Sequence, residues 1–201
     1  MWPKPWPQSK FRDRALVTTV AIIGAGPLGR WLALGAARAG YRVTIEDVMP
    51  GNLHHARESI RLKVADAALS PEGLPAVDFA STIEDAVREA DLVIDCVPDE
   101  LESKLEILLL LDRMAPPRTV FATPTTNLSI ADLARCTFRP EKCIAIAASP
   151  AALAAGAATD IVLRAGPPTS AETVDLVCSF WRRLGFNPTV ERSSADERIC
   201  P

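Results

Sequence analysis

The stretch Val17-Thr18-Thr19-Val20-Ala21-Ile22-Ile23-Gly24-Ala25-Gly26-Pro27-Leu28-Gly29 decides how the rest of the chain is read. Val17–Gly24 is a short apolar run rich in β-branched residues, the pattern of a strand covered on both faces. Gly24-Ala25-Gly26-Pro27-Leu28-Gly29 then matches G-x-G-x-x-G and opens a segment with helical spacing, Pro27–Ala39, that Gly40 stops. In such a turn the first glycine permits the tight bend and the second lets backbone approach a pyrophosphate. The third lets helix and strand pack closely. Pro27 falls at the helix start, where its missing N–H costs little, and the free N–H groups behind it favour an anion.

Outward from this turn, strand and helix patterns keep alternating. Strands are predicted at Arg42–Asp47, Ala76–Ala80, Asp91–Val97, Thr119–Ala122 and Cys143–Ala148. Helices are predicted at Asn52–Ala68, Ser81–Ala90, Glu100–Met114 and Ser129–Arg135, the second opened by a capping box of Ser81 and Glu84. Such alternation specifies an α/β fold, a doubly wound and mostly parallel sheet of the Rossmann type with helices on both faces. The remainder, from Ala151, holds a strand at Ile161–Arg164, a helix at Ser170–Leu184 and a short strand at Thr189–Glu191. These are too few for a second domain and are expected to extend the same sheet. The expected organisation is a Pro/Trp-rich arm over residues 1–14, one dinucleotide-binding domain over 15–191 and a tail over 192–201. Trp2 and Trp6 make the arm either a loose tail or an anchor on its own domain or a partner.

The second strand ends in Glu46 and Asp47, and Asp47 lies 18 residues beyond Gly29. A carboxylate there accepts hydrogen bonds from the adenosine ribose and repels a 2′-phosphate, so the expected cofactor is NAD rather than NADP. Read blandly, both acids only end a strand in solvent. Arg30 and Arg42 could serve a 2′-phosphate, but neither sits just after the second strand, where that arginine is needed.

Composition narrows the alternatives. The chain has 201 residues, with 22 Lys and Arg against 25 Asp and Glu. That mixed, slightly acidic balance argues against a dedicated nucleic-acid binder. No run of about 20 apolar residues offers a membrane span. The five cysteines, Cys96, Cys136, Cys143, Cys178 and Cys200, form no C-x-x-C pair, so no metal site is indicated and reduced thiols in the cytoplasm are expected. The two histidines, His54 and His55, stand side by side on the helix after the second strand, by the adenosine end.

GAGPLGRWLALGAARAGYRVTIED (24–47), ADLVIDCVPDELESKLEILLLLDRM (90–114) and TVFATPTTNLSIADLA (119–134) together resemble the NAD-binding domain of the 3-hydroxyacyl-CoA dehydrogenases. The resemblance runs from about Val17 to Asn187. It implies that Gly24, Gly26, Pro27, Leu28, Gly29 and Asp47 hold NAD. It also puts the Cys96 backbone, Asp99 and Lys104 near the nicotinamide, with the Thr126 hydroxyl between cofactor and substrate. Without the resemblance, Asp99 and Lys104 read as solvated helix charges and Thr125-Thr126-Asn127 as a turn.

The family's general base is a histidine in an H-F-F-N-P-like segment. Here that segment is Ile146-Ala147-Ala148-Ser149-Pro150, with Ile146 at the histidine position and Ser149 at the asparagine. The glutamate that orients the histidine falls near Val162, with Asp160 close by. Isoleucine cannot accept a proton, so the family's acid–base step has no evident agent, and only Thr126 and Ser149 remain to orient a substrate. The resemblance implies hydride transfer between NAD and a 3-hydroxyacyl thioester in fatty-acid metabolism, with an acyl-CoA as second ligand and a homodimer as assembly. A non-catalytic NAD-binding subunit or redox-sensing module is the alternative. The family's C-terminal helical domain is not expected in this chain, which ends in SSADERICP.

Overall fold

The computed structural model describes residues 17–66, 77–147 and 160–192. The expected arm at 1–14, Ser149 and the tail from 193 onward lie outside the described residues. The elements are β1 (Thr19–Ile23), α1 (Pro27–Arg38), β2 (Arg42–Glu46), α2 (Pro50–Asp66), β3 (Val77–Ala80), α3 (Ile83–Val87) and β4 (Leu92–Asp95). They continue as α4 (Leu101–Met114), β5 (Val120–Pro124), α5 (Ile130–Ala134), a 3-10 turn (Pro140–Lys142) and β6 (Cys143–Ile146). Beyond these come β7 (Asp160–Ala165), α6 (Ala171–Arg183) and β8 (Asn187–Arg192).

One eight-stranded sheet carries them all in the order β3-β2-β1-β4-β5-β6-β7-β8. Every neighbouring pair is parallel except β6 and β7, so the α/β, doubly wound, mostly parallel sheet is what forms. The strands β1, β4, β5 and β6 are buried along their whole length, as continuous apolar strands between two helical layers must be. On one face α1, α2 and α6 cover Ile22, Ile45 and Ile94, with Phe180 and Trp181 of α6 fully buried. On the other, α3, α4 and α5 cover Ala21, Val93 and Phe121. The chain order turns back between β1 and β4, and the crevice at that reversal is where such sheets bind ligands.

Local differences have local causes. The helix after β3 is capped by Thr82 rather than Ser81: Thr82 Oγ1 accepts from the Asp85 N–H at 3.2 Å and donates to Asp85 Oδ2 at 2.9 Å. The cap thus pairs Thr82 with Asp85, one residue along from the expected Ser81 and Glu84. The helix after β2 begins at Pro50 rather than Asn52, because proline's fixed φ suits a first helical turn. That shift of two residues places Asn52 in the first turn, facing back toward the end of β2.

Candidate cofactor site

A cleft of about 960 Å³ opens at the carboxyl ends of β1, β2 and β4. Gly24 has a φ of 104°, which a side chain rarely tolerates, and a Cβ there would lie 3.1 Å from the Cys96 carbonyl oxygen. A Cβ on Gly29 would fall 1.9 Å from the Gly24 carbonyl oxygen, so α1 can sit this close to β1 only with glycine there. Gly26 is different, for a Cβ on it would meet nothing within 4 Å among the described residues. Its bare backbone faces open cleft, a cradle that a methyl group would fill.

Gly26 is also the N-cap of α1 and supplies no side-chain cap, and the first turn carries no acidic residue. The first-turn N–H groups of a twelve-residue helix therefore point into the cleft unclaimed by side chains, with the positive end of the helix dipole behind them. Such a place takes the negative charge of a pyrophosphate.

Across the loop, the Asp47 carboxylate is held by three donors. Oδ2 accepts from the Ala25 N–H at 2.9 Å and Oδ1 from the Met49 N–H at 2.8 Å. The Asn52 Nδ2 donates to both oxygens at 3.1 Å. The acid is thereby fixed against the glycine turn, where ribose hydroxyls would reach it.

The opposite wall is built after β4. Gly24, Gly26, Pro27, Leu28, Asp47, Cys96 and Asp99 all line the cleft, while Gly29 is buried behind it. Asp99 Oδ2 accepts from the Thr126 N–H at 2.9 Å, and its buried Oδ1 has no hydrogen-bond partner among the described residues. Asp99 and the exposed Thr126 are thus brought together. The Thr126 carbonyl accepts in turn from Arg164 Nη1 at 3.1 Å.

Lys104 stands apart from them. It is fully buried in α4, and its Nζ donates to Asp95 Oδ1 at 2.7 Å. Burial pushes the Asp95 carboxyl up from its ordinary range, against the pull of the Lys104 ammonium and the Thr123 hydroxyl. The same burial, with Asp95 nearby, pushes the Cys96 thiol up, so it stays protonated.

At the end of β6, the acid–base position holds a fully buried Ile146 in the core shared with α6. Leu163 lies opposite it, and the Val162 carbonyl accepts from the Ala147 N–H at 2.8 Å. Among the described residues, Asp160, at the exposed start of β7, receives only the Asn187 amide at 3.4 Å. His54 and His55 are exposed on α2 with ring centroids 6.2 Å apart. Among the described residues, no group of His, Cys, Asp and Glu could hold a metal ion.

Two polar residues of the cleft went unassigned in the sequence. Asn52 could have been found from Pro50, since proline at the first helical position puts Asn52 one turn from Asp47. Glu46 is 5% exposed and lines the cleft. Burial, followed by the charge of Asp47, raises its carboxyl from 4.5 to about 7. The signal lay in the strand pattern, which puts Glu46 on the face opposite to Ile45.

Comparison with known proteins agrees with this geometry. The family model for the 3-hydroxyacyl-CoA dehydrogenase NAD-binding domain matches residues 19–194. A 5-formyl-3-hydroxy-2-methylpyridine 4-carboxylate 5-dehydrogenase of Mesorhizobium japonicum is 31% identical over 87% of this chain and 57% of its own length. The mitochondrial hydroxyacyl-coenzyme A dehydrogenase of Sus scrofa is 30% identical over 87% of this chain and 59% of its own. A crystal structure of 3-hydroxybutyryl-CoA dehydrogenase from Escherichia coli K12 superposes with a TM-score of 0.77. It shares 26% identity, covering 89% of this chain and 39% of that one. The chain spans little more than half the length of the two curated relatives described. The bare Gly26 cradle, the uncapped helix start and the fixed Asp47 all fit a dinucleotide with an unphosphorylated ribose. Fold, loop and sequence therefore agree that the chain belongs to the 3-hydroxyacyl-CoA dehydrogenase NAD-binding domain family, whose cofactor is NAD.

Proposed function

We propose that this chain is the NAD(H)-holding unit of a 3-hydroxyacyl-CoA dehydrogenase-type oxidoreductase and does not itself supply the acid–base group. The observation that carries this reading is Ile146, an aliphatic side chain sealed in the core at the position of the family's base. Lys104, the nearest alternative on the β4 side, is closed off by its pairing with Asp95. In this reading the α1 N-terminus and Gly26 hold the pyrophosphate and Asp47 the adenosine ribose. Asp99 positions the Thr126 backbone at the far wall, and Thr126 with Ser149 orients a substrate. NAD, when bound, supplies the hydride acceptor. The proposal extends to an acyl-CoA as second ligand, a homodimer as assembly, a cytoplasmic location and a place in fatty-acid metabolism.

The second reading is a chain competent by itself, in which a water stands in for the missing side-chain base. Titrating the chain with NADH by nicotinamide fluorescence, then adding acetoacetyl-CoA and following NADH absorbance, separates the two. NADH binding without consumption is expected. Steady consumption overturns the non-catalytic reading, and absence of NADH binding overturns both.

A further inference from the structure

The cleft has one wall that the pyrophosphate and ribose contacts leave unexplained. Along β2 the side chains alternate, so Ile45 enters the core beneath α1 while Glu46 points to the other face of the sheet. Its register partners there are Ile23 on β1 and Ala80 on β3, both part of the apolar cluster under α3 and α4. Ile83 of α3, Val97 after β4 and Ile107 of α4 belong to the same side and line the same cleft. Together they make an apolar slot beside Asp47, and among the described residues the only ionisable group in that slot is the Glu46 carboxyl.

That carboxyl is poorly provided for by the fold. Glu46 is 5% exposed, no hydrogen bond among the described residues reaches its side chain, and the one charge acting on it is Asp47, of the same sign. A buried carboxyl without donor or cation opposes folding. Compare Asp95, on the same face and separated from Glu46 by Ile23 in the register of the sheet, which has Lys104 for a partner. A donor that arrives with a ligand would satisfy Glu46 as Lys104 satisfies Asp95.

We propose that Glu46 reads the base of the dinucleotide, accepting a hydrogen bond from the 6-amino group of adenine seated in the slot of Ile23, Ile83, Val97 and Ile107. This rests on the NAD-binding reading of the cleft and deepens it: the family loop recognises phosphate and ribose, whereas Glu46 discriminates among bases. A flat, apolar ring with an amino group on its edge matches an apolar slot with one acceptor. A base with a carbonyl at that position sets oxygen against oxygen.

The test compares NADH with reduced nicotinamide hypoxanthine dinucleotide, in which a keto group replaces the 6-amino group. Binding of both is followed by fluorescence and calorimetry at pH 8 for the full wild-type chain, Glu46→Gln and Glu46→Val. Wild type is expected to prefer NADH by tenfold or more, about 1.4 kcal/mol. Glu46→Gln, whose amide can donate as well as accept, should bring the two within about twofold by binding the hypoxanthine analogue better. Glu46→Val should also bind both within about twofold, with a melting temperature no lower than wild type. A preference that survives unchanged in both variants overturns the proposal and leaves NAD binding intact, as does a wild type without preference. Failure of wild type to bind NADH at all overturns the cofactor reading and this proposal with it.

Discussion

At the scale of single residues, the site turns on two neighbouring acids with opposite surroundings. Asp47 is surrounded by donors, so its charge is held ready at the ribose position. Asp47→Ala is expected to weaken NADH several-fold and strengthen NADPH by more than tenfold, since the repulsion of a 2′-phosphate disappears. Unchanged dissociation constants for both cofactors would remove Asp47 from the site. Glu46 carries its charge at a cost. Its carboxyl titrates at about 7 in the folded chain against an ordinary 4.5. Below pH 4.5 both states are protonated and nothing is lost. Between 4.5 and 7 the unfolded chain gives up its proton first, so stability falls as pH rises, and the full penalty stands above 7. At about 1.36 kcal/mol per tenfold that penalty is of the order of 3 kcal/mol. Glu46→Gln should therefore match wild type near pH 4 and exceed it by about 2–3 kcal/mol at pH 8 in urea unfolding. A constant difference across pH would contradict this.

At the scale of elements, the glycine turn separates fold from function residue by residue. Gly29 serves packing, because its Cβ would strike the Gly24 carbonyl, whereas Gly26 serves the ligand, because no atom of the described residues occupies the space before it. Gly26→Ala should keep wild-type stability within about 0.5 kcal/mol and lose NADH binding by at least tenfold. Loss of stability together with binding would make Gly26 a packing residue instead. A second junction ties β4 to α4 through Asp95 and Lys104. Lys104→Met should cost about 3–5 kcal/mol, since a buried carboxylate is left alone. The double variant Asp95→Leu/Lys104→Met should recover most of that loss, and a double variant no better than the single would show that the pair is not the cause.

Much of this was legible in the sequence, for physical reasons that also mark the limit. The parallel strands announce themselves because burial on both faces demands continuous apolar runs, as in TVAII of β1 and CIAI of β6. The phosphate loop was legible because only glycine satisfies the conformation at Gly24 and the contact at Gly29. Lys104 was harder. A lysine on an amphipathic helix reads as solvated, and only the strand register, which turns Asp95 toward α4, shows why it is buried. The reversal of β7 against β6 was likewise hidden, since the residues of a strand specify its faces better than its direction.

At the scale of the whole molecule, the two walls of the cleft come from strands on either side of the β1/β4 reversal, so a ligand seated there bridges both halves of the sheet. Any ligand that binds only the folded chain stabilises it by mass action. NADH at 100 times its dissociation constant should add about 2.7 kcal/mol, raising the melting temperature of a chain this size by roughly 5–10 °C. The absence of any shift at saturating fluorescence signal would mean that the signal does not report this cleft.

The Asp47 carboxylate has one more consequence. Two oxygens offer about four places for incoming hydrogens, and three donors already use them, two loop amides and an Asn52 amide shared across both oxygens. A ribose diol reaching the acid therefore competes with the Asn52 amide, which spans both oxygens. Such an exchange swaps bonds one for one, so the acid adds little tightness of its own. What it adds is exclusion, since a phosphate monoester has no hydrogen to trade and meets only like charge. Asp47 is a filter before it is an anchor.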